Sequence, residues 1–227
     1  MLNWTRYQER TNGIHNKYEK VKLTPEFHHA CAKVMDHVIK NNMEFEPRPL
    51  MPHDYAETIL NNAERFNYKL KDKQVVGWLN DSKYLRSMSL PIRILYDRDL
   101  PEDLVKETKS ALEKQENVYR HAIYFNVIKM EPGDQIMLHY DPKSVYLPAW
   151  PIGNELPGQG TEYIDMRAFV YMNDRQPGQV SWLGKSDIDY KAYDMFKFEV
   201  DKVYHGTANF GYDDRYMICF SWAEPLG

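Results

Sequence analysis

A chain of 227 residues with 43% hydrophobic and 14% aromatic side chains can bury a sizeable core, and it fits one large domain, here 1–227. A formal net charge of −4, without a lysine or arginine run, excludes an electrostatic footprint for indiscriminate nucleic-acid or membrane binding but leaves selective base recognition open. Cys31 and Cys219, the two cysteines, exclude a disulfide framework and a paired-cysteine metal motif; with a polar opening segment and no apolar run of membrane length, the expected location is the cytoplasm.

The first part of the chain, 1–120, reads as a mainly helical supporting region. Thr24-Pro25 supplies an N-cap followed by proline at the first helical position. Phe27, Cys31, Val34, Val38 and Ile39 then recur at helical spacing to about Asn41. A second helix is predicted after Asp54, with Ile59, Leu60 and Phe66 among its apolar positions, and a third from near Pro101 through Leu104 and Leu112. Leu90 to Tyr96 fits a strand between them.

From residue 121 the sequence turns to aromatic and β-branched runs bounded by Pro, Gly, Asn and Asp, so 121–227 is the predicted β core. Strands are predicted over Ile123 to Met130, Gln135 to His139, Met166 to Asn173, Gln179 to Leu183, Met195 to Val200, Lys202 to Gly206 and Arg215 to Trp222. Alternation puts Phe196, Phe198 and Val200 on one face and Lys197, Glu199 and Asp201 on the other. The run from Met166 is apolar on both faces except for Arg167 and Asn173, which suits a central strand. Pro142 to Gly160, rich in proline and glycine, reads as a long loop, either a substrate lid or a surface excursion.

One constellation carries chemistry. His139 and Asp141 lie two apart, and an extended chain points such residues to one side; with the distant His205 they form the ligand set of a two-histidine, one-carboxylate facial triad, which holds Fe(II) and leaves positions open for a co-substrate and oxygen. His205 shares a face with Val203 and reaches the same metal if its strand neighbours the one from Gln135. Its ordinary alternative is a core or turn histidine bonded to backbone. Arg215 begins the last strand on the face of Met217, Cys219 and Ser221, opposite the bulkier Tyr216, Ile218, Phe220 and Trp222. Its planar fork suits the far carboxylate of an organic acid, or else a salt bridge with Asp213 or Asp214.

These residues resemble the iron(II)- and 2-oxoglutarate-dependent oxygenases of the prolyl-hydroxylase-like type. The likeness lies in Met130-Glu-Pro-Gly-Asp-Gln-Ile-Met-Leu-His-Tyr-Asp141, in Arg167-Ala-Phe-Val-Tyr-Met-Asn173 followed by Gly178, and in Val203-Tyr-His-Gly-Thr-Ala-Asn209 with Arg215. It implies an α+β fold, a distorted double-stranded β-helix or jelly roll with N-terminal helices packed outside. It also implies Fe(II) on His139, Asp141 and His205, with 2-oxoglutarate as co-substrate, decarboxylated to succinate and CO2 as a substrate is hydroxylated. Arg215 would hold the far carboxylate.

Many relatives carry serine or threonine two residues beyond that arginine, where Met217 stands here. Tyr124, Asn126 and Tyr171 are the candidates to replace the missing hydroxyl. Asn209 is read as a turn cap, and Trp150 and Trp182 as cavity walls or core. His28 and His29, His37, His53 and His121 have no partner set. The rival reading is a catalytically silent jelly-roll module for binding or structure. The substrate is expected to be a small molecule or amino acid, with a peptide side chain or nucleobase still open, and the oligomeric state is not legible.

Overall fold

The computed structural model describes residues 17–48, 92–118, 123–139, 163–200 and 202–225. Two helices and eleven strands lie in these segments. Strand β1 (Tyr18–Val21) precedes helix α1 (Pro25–Lys40), strands β2 (Glu46–Arg48) and β3 (Ile92–Tyr96) follow, and helix α2 is Glu102–Gln115. Then come β4 (Ile123–Met130), β5 (Gln135–His139), β6 (Tyr163–Tyr171), β7 (Gln179–Leu183), β8 (Ser186–Asp187), β9 (Met195–Glu199), β10 (His205–Asn209) and β11 (Arg215–Pro225). The predicted helix after Asp54, the loop from Pro142 and Trp150 lie outside the described residues.

Two antiparallel sheets result, one of seven strands in the order β1-β9-β6-β11-β4-β3-β2 and one of four in the order β5-β10-β7-β8. Of the eight strands from β4 onward, the first, third, sixth and eighth enter the large sheet and the second, fourth, fifth and seventh the small one. That alternation is a jelly roll, here a distorted double-stranded β-helix extended at its edges by β1, β2 and β3. The fold is α+β, with α1 and α2 packed outside.

Helix α1 starts where the sequence predicts. The Thr24 hydroxyl accepts the Phe27 N–H at 3.3 Å, and Gln115 of α2 accepts the Thr24 N–H at 2.9 Å, so the cap also ties the two helices together. The apolar stripe of α1, Phe27, Cys31, Val34 and Val38, packs with Leu112 of α2 on the outer face of the large sheet. There it meets Phe125, Val127, Ala168, Val170, Ile218, Phe220 and Trp222. A second core fills the space between the sheets, with Ile128, Met130, Tyr171, Leu183, Phe196, Phe198, Met217 and Cys219. The bulky face of β11 thus packs on helices, and the smaller face, headed by Arg215, looks into the inter-sheet space.

Several boundaries differ from the sequence reading. The strand predicted from Lys202 to Gly206 runs instead from His205 to Asn209, because its ladder with β7 begins at the pair His205–Leu183 and the chain turns at Gly184, whose N–H goes to the Tyr204 carbonyl at 2.7 Å. The strand predicted from Met166 to Asn173 is Tyr163–Tyr171, and lies centrally between β9 and β11 as its composition suggests. Strands β1, β2 and β8 escaped the sequence reading; with four, three and two residues they are too short for a period-two pattern to register. Among the described residues no helix is long and apolar enough to cross a membrane.

Two turns aim the strands around the site. At Gly178, φ is +87°, and an added Cβ would sit 2.6 Å from the Phe210 carbonyl oxygen, where the β6–β7 turn meets the β10–β11 turn. Gly178→Ala is expected to cost roughly 1–3 kcal/mol in urea unfolding from the left-handed backbone alone, with the clash added. Gly133 also has positive φ, +97°, but nothing lies within 4 Å of its would-be Cβ. Gly133→Ala should therefore be the milder substitution, and equal losses at the two sites would refute the close-approach argument.

Candidate functional site

The pairing of β10 with β5 sets His205 opposite His139, with a register shift before the next pair, Thr207–Ile136, so the strands carrying two predicted ligands are neighbours. His139 is described here only as a strand position, and Asp141 lies outside the described residues. Among the described residues no group of three His, Cys, Asp or Glu side chains is gathered to hold a metal.

His205 is buried, 3% exposed, with its ring against Phe198 at 5.1 Å and Phe169 at 6.0 Å between centroids. Nδ1 lies 3.2 Å from the Val203 carbonyl, and Nε2 lies 3.5 Å from Nη1 of Arg167. A carbonyl only accepts and a guanidinium only donates, which assigns the proton to Nδ1 and the lone pair to Nε2. That is the tautomer of a metal-binding histidine whose second nitrogen is held by backbone.

Arg215 is fully buried, at 0% exposure. Its Nη1 donates to the Thr207 hydroxyl at 2.5 Å and the Val180 carbonyl at 3.0 Å, and Nη2 donates to the Ser181 hydroxyl at 2.7 Å. Nε has no hydrogen-bond partner among the described residues, nor does any carboxylate there pair with the guanidinium. The alternative salt bridge to a neighbouring acid is not made; Asp214 pairs with Lys129 at 3.0 Å. The guanidinium stands 5.1 Å from the ring centroid of Tyr171 and 4.9 Å from that of Tyr190, two rings stacked at 3.8 Å. Burial pushes the Tyr190 phenol up to about 12 and raises that of Tyr171, although the nearby Arg215 opposes both shifts. Neither ring therefore acts as a counter-ion.

The three candidates to support Arg215 are placed differently. The Tyr171 hydroxyl lies 2.7 Å from that of Ser181 and so joins the arginine's cluster. Tyr124 and Asn126 sit further along the sheet, opposite Ser221 and Cys219, whereas Arg215 is opposite Met130; Asn126 donates to the Tyr124 hydroxyl at 3.2 Å. Ser181, Thr207, Tyr190 and Arg167 were missed as site residues. Parity with Gln179 and Leu183 already places Ser181 inward, and Thr207 shares the face of His205, but the strand predicted from Lys202 stops at Gly206, one residue short of it.

Trp182 alternates with Ser181 and is 38% exposed, so it is neither cavity wall nor core. Asn209 is a turn cap of unusual reach. It is fully buried, donates to the carbonyls of Met130 at 2.8 Å and Asp213 at 2.9 Å, and accepts from Gly211 N–H at 3.1 Å. It thereby locks the turn that delivers Arg215 to the end of β4.

No protein-family model matches the sequence, and no curated protein matches it. Among solved structures the chain is similar to a prolyl-4-hydroxylase from Pseudomonas putida, at 15% identity over 86% of this chain and 99% of that one, with a TM-score of 0.39. It is also similar to a predicted oxalate decarboxylase from Thermotoga maritima, at 14% identity over 60% and 82% of the two chains, TM-score 0.34. A cupin domain from Schizosaccharomyces pombe aligns at 8% identity over 59% of this chain and 65% of that one, TM-score 0.35.

Proposed function

We propose that this protein is an Fe(II)- and 2-oxoglutarate-dependent dioxygenase that hydroxylates its substrate, and that the chain is a single domain built round that site. The observation that carries this reading is Arg215, a fully buried cation with no acid partner among the described residues and an unmatched Nε–H. Burying such a charge is costly unless something compensates it, and a carboxylate accepting the open edge of the fork would do so.

The placement fits a short diacid. Thr207, which holds Arg215, is two residues from His205 on the same face of β10, a rise of about 7 Å. That spacing is comparable with the span of a five-carbon diacid reaching from a metal on His205 to the guanidinium. His139, Asp141 and His205 would hold the iron, with Asp141 two residues beyond His139. When bound, Fe(II) and 2-oxoglutarate would supply the oxidation with O2 as the oxidant: the co-substrate would become succinate and CO2, one oxygen atom entering succinate and the other the substrate's new hydroxyl. The chain's own groups do the rest. Val203 fixes the His205 tautomer, Ser181 and Thr207 orient the guanidinium, and Phe169 and Phe198 keep water from one side of the imidazole.

The test is anaerobic addition of Fe(II) and 2-oxoglutarate to the full chain, watching for the visible charge-transfer band of the chelate, then measuring succinate after oxygen is admitted. Band and succinate together are the expected result. A protein that binds neither Fe(II) nor 2-oxoglutarate is instead the silent jelly-roll module. Within an active enzyme, Ser181→Ala should raise KM for 2-oxoglutarate about 3–20-fold at nearly unchanged kcat, because it frees the guanidinium without removing it.

A further inference from the structure

The inter-sheet face of the large sheet holds a polar pair that the proposed co-substrate does not use. Asn126, on β4, is 9% exposed, and its Oδ1 is buried without a hydrogen-bond partner. Its Nδ2 donates to the Tyr124 hydroxyl at 3.2 Å, and the phenol's own proton has no acceptor among the described residues. The bond joins two residues of one strand, so it ties no separate elements together. Burying a polar pair that returns no cross-link is costly, most of all at the unmatched amide oxygen.

Sheet order brings this pair close to the proposed metal site. Asn126 is opposite Cys219 of β11, Cys219 is opposite Phe169 of β6, and the Phe169 ring adjoins His205 at 6.0 Å between centroids. Asn126 and Phe169 thus stand two strand spacings apart, about 10 Å. Arg215 lies four residues from Cys219 along β11, about 13 Å away, and serves the other side of the site. Arg167, level with Tyr124, gives its Nε proton to Ser221 at 3.4 Å and turns Nη1 to His205.

The pair is neutral and two-handed. Burial pushes the Tyr124 phenol well above the ordinary range, so it stays protonated and gives that proton, while Asn126 Oδ1 only accepts. Exchanging the amide oxygen and nitrogen reverses both roles and still leaves one donor and one acceptor. A carboxylate brings no proton for Asn126, and an ammonium no lone pair for Tyr124. The edge of an amide brings both, its N–H beside its C=O.

We propose that Asn126 and Tyr124 bind a neutral amide of the substrate that is oxidised, Asn126 Oδ1 accepting its N–H and Tyr124 donating to its carbonyl. The inference rests on the dioxygenase reading and names its substrate class: a carboxamide with an apolar body, which runs past Cys219 and Phe169 toward His205. The oxidised carbon is then remote from the amide rather than next to it.

Calorimetry on the full chain separates the possibilities. Benzamide, cyclohexanecarboxamide and 3-phenylpropanamide are each titrated against the matching methyl ketone, which accepts but cannot donate, and the matching primary alcohol, with 2-oxoglutarate in parallel. At least one amide is expected to bind about 10-fold more tightly than its ketone. Asn126→Leu should bring that ratio to about one, whereas Tyr124→Phe should weaken amide and ketone together and keep the ratio; the reverse assignment supports the same pair with the Asn126 amide turned over. Both variants should bind 2-oxoglutarate as the wild type does. If Asn126→Leu does not fold, Tyr124→Phe, which keeps the ring, must still weaken the amide several-fold. The proposal is overturned if no amide is preferred over its ketone, if an alcohol outbinds its amide, if the ratio survives both substitutions, or if either weakens 2-oxoglutarate as much as the amide. A wild type that ignores 2-oxoglutarate but still prefers an amide refutes the dioxygenase reading and leaves the amide site standing.

Discussion

Arg215→Met is expected to weaken 2-oxoglutarate binding by at least about 100-fold while changing unfolding free energy by no more than about 1 kcal/mol. The two halves of this result come from one fact, that the guanidinium is buried without an acid among the described residues. Removing one member of a buried ion pair typically costs about 3–5 kcal/mol, because it strands the other charge. Here no charge is stranded. The Ser181 hydroxyl keeps Tyr171 at 2.7 Å and Thr207 at 3.5 Å, Thr207 keeps the Val180 carbonyl at 2.9 Å, and methionine fills much of the vacated volume. Calorimetric titration and urea unfolding on the same preparations provide both numbers. A variant that loses several kcal/mol and binds 2-oxoglutarate normally would mark Arg215 as scaffold and remove the main support for the dioxygenase.

His205→Ala is expected to abolish succinate formation and to lower Fe(II) retention by about 100-fold or more on dialysis. The ring is buried and held by backbone through Nδ1, so exogenous imidazole has no ready route to take its place. His29→Ala, on the exposed face of α1, is the matched control and should retain iron and activity. Full iron retention in His205→Ala would return His205 to the ordinary role of a core histidine bonded to backbone.

Much of the fold could be read locally. The alternation from Phe196 to Asp201 anticipated that Phe196, Phe198 and Val200 are buried, and the cap and stripe of α1 were written in Thr24, Pro25 and the apolar spacing. Parity also gave the face of β11 that carries Arg215, because side-chain direction in a strand depends only on counting by twos. Pairing is another matter. That His139 stands opposite His205, and Tyr124 level with Arg167, depends on which distant strands become neighbours and in what register, and neither is encoded in a local window. Arg167 shows the cost. As a lone charge in the run from Met166 to Asn173 it was merely an exception to the apolar pattern, and only the sheet order gives it a serine, a tyrosine and a histidine as company. Parity gave the inward face of Ser181 but not its neighbour, and nothing local links Tyr190 to Arg215; both come to the guanidinium only through the packing of β7 and the stretch after β8.

The position of β11 has a kinetic consequence. It is the last of the eleven strands among the described residues, yet it lies between β4 and β6, pairing with eight residues of one and nine of the other. Until it arrives, both of those strands present open edges, and the large sheet is two fragments with no shared ladder. Closing a sheet through partners so remote in sequence is slow, and exposed edges of this kind recruit other chains. A polypeptide stopped before Arg215 is thus expected to aggregate during synthesis rather than persist as a weakened form of the protein, and the same strand that carries Arg215 commits the nascent chain to its native topology.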